Sequence, residues 1–275
     1  MKTECYKKHF ISLCVMFVLG NAIISLPFEK ADKFTFLGFL ISFIISLLVY
    51  WAVFLLPNKK VVLILSSLLC IWAVGDTFID FVKFINATLL RGNPKILAVL
   101  PFLVCILVFC FAKQTAILKF CLISAVVSVI AIIFFFGFTS PDFRLKNVII
   151  NSFPDIDKLC LQTMPYLKKI TLPSLLLVIF AKLNGFSKKT AFSGMALGNL
   201  LLAFCVLNSV LLFGSEFAGI LPFPYASAIS TVTFGNLFSR LDGFAYFIYF
   251  ASCLIKITVL VGIIKESIRV NFNNS

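Results

Sequence analysis

Apolar positions along this chain follow neither a two-residue alternation nor a 3.6-residue stripe. They fill blocks of roughly twenty, each closed by a few Lys, Arg, Asp, Asn or Pro residues. About 20 apolar residues is what a helix needs to cross the hydrocarbon of a bilayer, so each block predicts a membrane-spanning helix. On that ruler eight crossings are read, at approximately 9–28, 34–56, 61–81, 96–112, 115–138, 166–183, 190–214 and 243–264. The fourth and fifth are separated only by Lys113 and Gln114, which predicts an antiparallel hairpin with a basic turn. The sixth is the weakest: its uninterrupted core runs only from Leu175 to Ala181, with Lys168 and Lys169 at one end, Lys182 at the other and Pro173 inside. Two connections, 139–165 and 215–240, are long for idle spacers, and the second carries "LPFPYASAISTVTFGN", which suits a short helical or re-entrant cap on the outer face.

Composition turns this pattern into a class. Of 275 residues, 61% are hydrophobic, 13% are charged and 34 are Phe, whereas a soluble domain of this size needs far more polar surface. The expectation is an all-α integral membrane protein in contact with the lipid bilayer. No linker or low-complexity tract divides it, so residues 1–275 are read as a single polytopic membrane domain.

Charge changes the picture only in orientation. The net charge of +13 is spread over short connections instead of clustering on one face, which argues against nucleic acid as a partner. With the N-terminus cytoplasmic, twelve Lys and Arg fall on the inside and eleven on the outside. Five of those eleven (Arg144, Lys146, Lys158, Lys168, Lys169) lie in one long connection whose length weakens its vote. Both termini are therefore expected in the cytoplasm. The first block follows Lys2, Lys7 and Lys8 as a secretory signal would, but no small-x-small cleavage site follows it, and it is read as retained.

Candidate chemistry narrows the function by exclusion. Nine Cys lie mostly within apolar blocks without CxxC spacing and read as small buried residues, while His9 is the sole histidine. Neither a histidine-rich metal site nor a constellation of nucleophile, base and orienter exists here, so no enzyme and no cofactor is expected.

Ionisable residues inside spans are the best functional pointers that remain. In the third span Asp76, Asp80 and Lys83 share one helical face at i, i+4 and i+7. They form either an Asp80–Lys83 bridge near the outer interface or part of a substrate path. Lys256 lies near the middle of the last span, where a partner inside the bundle suits it better than snorkelling. Arg240 and Asp242 open that span, and Asp242 also suits the positive end of the helix dipole.

The first span holds an interruption, "FVLGNAIISLPF", with Gly20 and Asn21 at its middle. Discontinuous helices are tolerated where the freed backbone lines a protected cavity, although Gly20 equally suits close helix packing. Pro173, with Thr171 and Ser174 beside it, is the comparable interruption of the sixth span.

These residues carry a resemblance. "FVLGNAIISLPF" resembles the G-x-G-x-x-x-x-P start of the amino acid/polyamine permease superfamily. "IDFVKF" and "FPYASAISTVTFGNLFSRLDGFAYFIYFASCLIKITV" are similar to its spore germination permease branch, the B subunits of germinant receptors. The resemblance implies a LeuT-like bundle of two inverted five-helix repeats in the inner membrane of a bacterial spore. It also implies A and C receptor subunits as partners and a small germinant, an amino acid or similar, as ligand. By position, Gly20, Asn21, Ala22, Thr171 and Ser174 line the pocket, with Asp76, Asp80, Lys83, Arg240, Asp242 and Lys256 as a surrounding polar network. Two departures go with it: Ala22 replaces the second glycine, and the chain holds eight spans where ten are usual, so the second repeat is expected to be truncated. Two rival readings stand beside the receptor: an amino-acid permease working as a secondary transporter, and a membrane scaffold without a ligand.

Overall fold

A computed structural model describes residues 2–26, 28, 31–55, 60–88, 96–148, 155–231 and 242–272. The protein is an all-α membrane protein. Among the described residues there is no strand, and five helical stretches (Thr35–Leu55, Thr115–Asp142, Ile156–Leu183, Lys188–Phe213 and Gly243–Arg269) are long and apolar enough to cross a membrane. The chain runs through α1 (Lys2–Leu19), α2 (Thr35–Leu55), α3 (Lys60–Thr88), α4 (Ile96–Phe111) and α5 (Gln114–Thr139). It continues through α6 (Ile156–Tyr166), α7 (Leu172–Leu183), α8 (Lys188–Phe213), the short α9 (Ser215–Ile220) and α10 (Pro224–Ser230), and α11 (Asp242–Phe272).

Two helices form the centre. Leu13 to Leu19 of α1 and Ala251 to Leu260 of α11 are buried on every side, the signature of a rod enclosed by others. Outer helices invert the soluble pattern. In α2 the buried face is Thr35, Gly38, Phe39, Ser42, Ser46 and Tyr50, whereas Ile44, Leu48, Trp51 and Leu55 are exposed. Lipid solvates the apolar side, and small or hydroxyl-bearing residues let helices approach and hydrogen-bond inside.

The closest seam joins α1 to α8 through the small-residue spacing "GMALG". A Cβ on Gly194 would stand 2.6 Å from Cys14 Cβ, and one on Gly198 would stand 2.8 Å from Val18 Cβ, so only glycine lets these backbones meet. Aromatic residues close the opposite flank. Phe81 of α3 stacks on Phe102 of α4 with centroids 3.9 Å apart, and Phe84 meets Tyr249 of α11 edge-on at 4.8 Å.

Two backbone interruptions shape the interior. The α-helical pattern of α1 stops at Leu19, and Gly20–Ala22 turn as a 3₁₀ segment in which Gly20 takes φ +24°, a conformation that disfavours any side chain. Asp32 leads into α2, accepting the Phe34 N–H at 2.8 Å while its own N–H donates to Thr35 Oγ1 at 2.9 Å. Between α6 and α7, Leu167–Thr171 widen into a π-helical segment in which the Leu172 N–H reaches the Leu167 carbonyl five residues back. Pro173 explains the local chemistry: it has no N–H to offer and its ring crowds the carbonyl four residues earlier, at Lys169.

Candidate functional site

The third-span carboxylates find a cation from a distant helix. Lys169 Nζ, in the π segment, lies 3.1 Å from Asp76 Oδ2 and 3.3 Å from Asp76 Oδ1, and also pairs with Asp80 Oδ2. Ser25, just past the α1 interruption, donates to the same Asp80 oxygen at 2.8 Å. Three segments that the sequence keeps far apart therefore converge on one carboxylate pair.

A cavity of about 380 Å³ opens beside this cluster. Asp76, Asp80, Lys168, Lys169 and Ser25 supply its polar wall, and Leu26, Phe28, Trp72, Pro165 and Gly219–Pro222 at the end of α9 supply the rest. The volume is within the range of small-ligand sites, and the wall is about as polar as it is apolar, with the charges of Asp76, Asp80, Lys168 and Lys169 converging on it.

The residues singled out from the sequence divide by position. Gly20 and Ala22 are buried in the α1 turn: the Lys256 stem packs against Gly20, and Ser252 Oγ donates to the Gly20 carbonyl at 3.3 Å. Lys256 is buried in the bundle, with its ammonium 5.7 Å from the centre of the Phe17 ring. The Asn21 backbone lies in the 3₁₀ turn and that of Asp242 begins α11; the side chains of both, and all of Arg240, lie outside the described residues. Thr171 and Ser174 turn toward α2. Thr171 Oγ1 hydrogen-bonds Ser46 Oγ, Ser174 Oγ donates to the Ile170 carbonyl at 2.7 Å, and the Tyr50 hydroxyl sits beside Ser46, Ser174 and Asn199.

Among the described side chains, then, the cavity is lined by Asp76 and Asp80 but not by Gly20, Ala22, Thr171, Ser174 or Lys256. Lys83 is exposed and makes no ion pair among the described residues, since Asp80 pairs with Lys169 instead. Ser25, Lys169 and Trp72 are the functional candidates that sequence spacing did not single out. The signal for Lys169 was its place at the end of the weakest span, beside two intramembrane carboxylates that demanded a cation.

A second cavity, about 210 Å³ and mainly apolar, lies among α1, α5, α7 and α11, with Phe10, Phe180, Thr258 and Glu266 in its wall. Along the first segment of the chain, Phe10 and Leu13 line this cavity and Ser25, Leu26 and Phe28 line the first, with Phe17 and Gly20 between them lining neither.

Residues 60–274 match the family model described as spore germination protein, a spore permease. No curated protein and no solved structure matches the chain. The match takes in the third-span carboxylates, the π segment with Lys169 and the whole of α11. By that match, which covers most of its length, the chain belongs to the spore germination permease family.

Proposed function

We propose that the protein is the nutrient-sensing membrane subunit of a germinant receptor, and that it takes a small germinant, an amino acid or similar, into the cavity beside Asp76, Asp80 and Lys169. One observation carries this reading. The segment leaving the α1 interruption and the π segment between α6 and α7 meet at a single polar cavity through Ser25, Asp80 and Lys169. Interrupted helices in a bundle are where permease-like proteins hold solutes, and π segments recur at functional sites. The pocket is placed a few residues beyond Gly20–Ala22, on the side of Ser25, because Lys256 already fills the space against Gly20.

A LeuT-like arrangement of the helices, both termini in the cytoplasm and the spore inner membrane as the location fit this role. Receptor A and C subunits are the partners that would carry the signal onward. A ligand shifts the bundle between two states only through unequal affinity for them, and a cluster that ties both interruptions together is suited to sense occupancy.

The test is a germination screen across amino acids, nucleosides and sugars. Spores lacking this chain should lose the response to at least one nutrient. Wild-type protein should restore it, and the Asp80→Asn variant, made at equal abundance, should not. An unchanged response to every nutrient sinks the receptor reading. A transport reading draws on the second cavity, since two chambers flanking a packed stretch suit alternating access. Radiolabelled uptake into proteoliposomes, saturable and abolished by Asp80→Asn, would favour it over sensing alone.

A further inference from the structure

We propose that Lys169 is a tethered stand-in for the ligand's own ammonium, so that binding is an exchange of one ammonium for another between Asp76 and Asp80. The inference rests on the reading of this cavity as the ligand site and adds to it the chemistry of selection.

The geometry shows the competing ammonium in place. Lys169 reaches both Asp76 oxygens, at 3.1 and 3.3 Å, and also Asp80, and it does so on the wall of an open cavity instead of inside a packed core. A primary ammonium brought by a ligand offers the same charge and the same three donors, so it can take those oxygens without leaving a carboxylate unpaired. The displaced Lys169 then needs an acceptor. A ligand that also carries a carboxylate supplies one, and two ion pairs replace the original pairing; a simple amine strands the Lys169 charge and is penalised. A carboxylate alone leaves Asp76, Asp80 and Lys169 already satisfied and gains little. The site thus selects molecules bearing both groups through a residue that competes with the ligand.

Position favours this role. Lys169 sits in the π segment, four residues before Pro173, which can offer its carbonyl no N–H. Release of its side chain frees the segment from α3. Because Ser25 shares the Asp80 oxygen, the same event is felt at the α1 interruption.

The experiment uses three matched probes: L-norvaline, n-butylammonium, which lacks its carboxylate, and pentanoate, which lacks its ammonium. The chain contains two Trp, Trp51 and Trp72, and Trp72 lines the cavity. Trp51→Phe therefore leaves a single reporter, read in the full chain in lipid nanodiscs. With Lys169 present, norvaline is expected to bind tightest and pentanoate weakest. In Lys169→Met, butylammonium should bind at least ~10-fold tighter than before, because the competitor that kept the site occupied is gone, and the preference for norvaline over butylammonium should collapse. Lys169→Arg should keep the original order. If Lys169→Met does not fold, Lys169→Gln, whose amide still donates to a carboxylate, gives the same reading. Butylammonium binding that is unchanged or weaker in folded Lys169→Met or Lys169→Gln, while norvaline still binds the parent, overturns the exchange and leaves the cavity as the ligand site. Silence of Trp72 to all three probes in every form overturns both.

Discussion

The Lys256 side chain occupies the space that any residue larger than glycine would need at position 20: a Cβ on Gly20 would stand 2.5 Å from Lys256 Cδ. The two residues are 236 positions apart (256 − 20), yet each sets the other's limits. Glycine permits the φ of +24° that ends α1 and also the passage of the lysine stem.

Gly20→Ala should therefore destabilise the bundle by about 1–3 kcal/mol from backbone strain alone, with crowding against Lys256 in addition. Lys256→Ala in the same chain removes the crowding but not the strain. Thermal unfolding of the two single variants and the double variant in detergent should show strong non-additivity, the double being less damaged than the sum. Additive losses would mean that the pair is not in contact.

The acidic residues of α3 should separate sharply from Lys83. Asp80 has a 12% exposed side chain, pairs with Lys169 and accepts from Ser25. Asp80→Asn should cost about 3 kcal/mol, at the low end for breaking a buried pair. Asp76, 28% exposed, should cost nearer 1 kcal/mol, the range of accessible pairs. Lys83→Gln should stay within about 0.5 kcal/mol as an ordinary surface change. Thermal midpoints of the three variants decide the order, and a Lys83→Gln loss equal to that of Asp80→Asn would contradict the pairing.

Both interruptions were legible in the sequence because glycine at mid-span and proline beside hydroxyl residues are local signals. The charged cluster was only half legible. Asp76 and Asp80 announce themselves by i, i+4 spacing, but their cation lies 93 and 89 residues away, and no local pattern distinguishes Lys169 from its neighbour Lys168. The nearer candidate, Lys83, is exposed, while Phe81 and Phe84 of the same turn are buried. Placing the pocket directly at Gly20–Ala22 could not account for Lys256, whose stem fills that space through a tertiary contact. The α1–α8 seam rests on the small-residue spacing of "GMALG", which does not itself name the helix that packs on it.

That seam gives a prediction with an internal control. Gly194→Ala and Gly198→Ala each drive a methyl into Cys14 or Val18, and overpacking of this kind costs about 1–3 kcal/mol per site. Gly75 lies in α3 with nothing within 4 Å of an added Cβ. Gly75→Ala should stabilise by about 0.4–1 kcal/mol by restricting the unfolded chain. Opposite signs for the same substitution, read from unfolding midpoints, are the expected outcome; loss at Gly75 equal to that at Gly194 would sink the packing argument.

Orientation can be read from a native cysteine. Cys160, in α6 just before the π segment, is exposed, whereas Cys14, Cys70, Cys121, Cys205 and Cys253 are buried and Cys105 and Cys110 are half-buried. The thiolate is the reactive form, and burial in apolar surroundings suppresses it as well as blocking access. If the N-terminus is cytoplasmic, α6 begins on the outer face, the side from which the cavity of Asp76, Asp80 and Lys169 would be entered. A membrane-impermeant maleimide added to right-side-out vesicles should then label the chain, and Cys160→Ser should abolish most of that label. Labelling of Cys160 only after the vesicles are opened would invert the topology and turn the mouth of the cavity toward the cytoplasm. A receptor for external nutrients could not then use it.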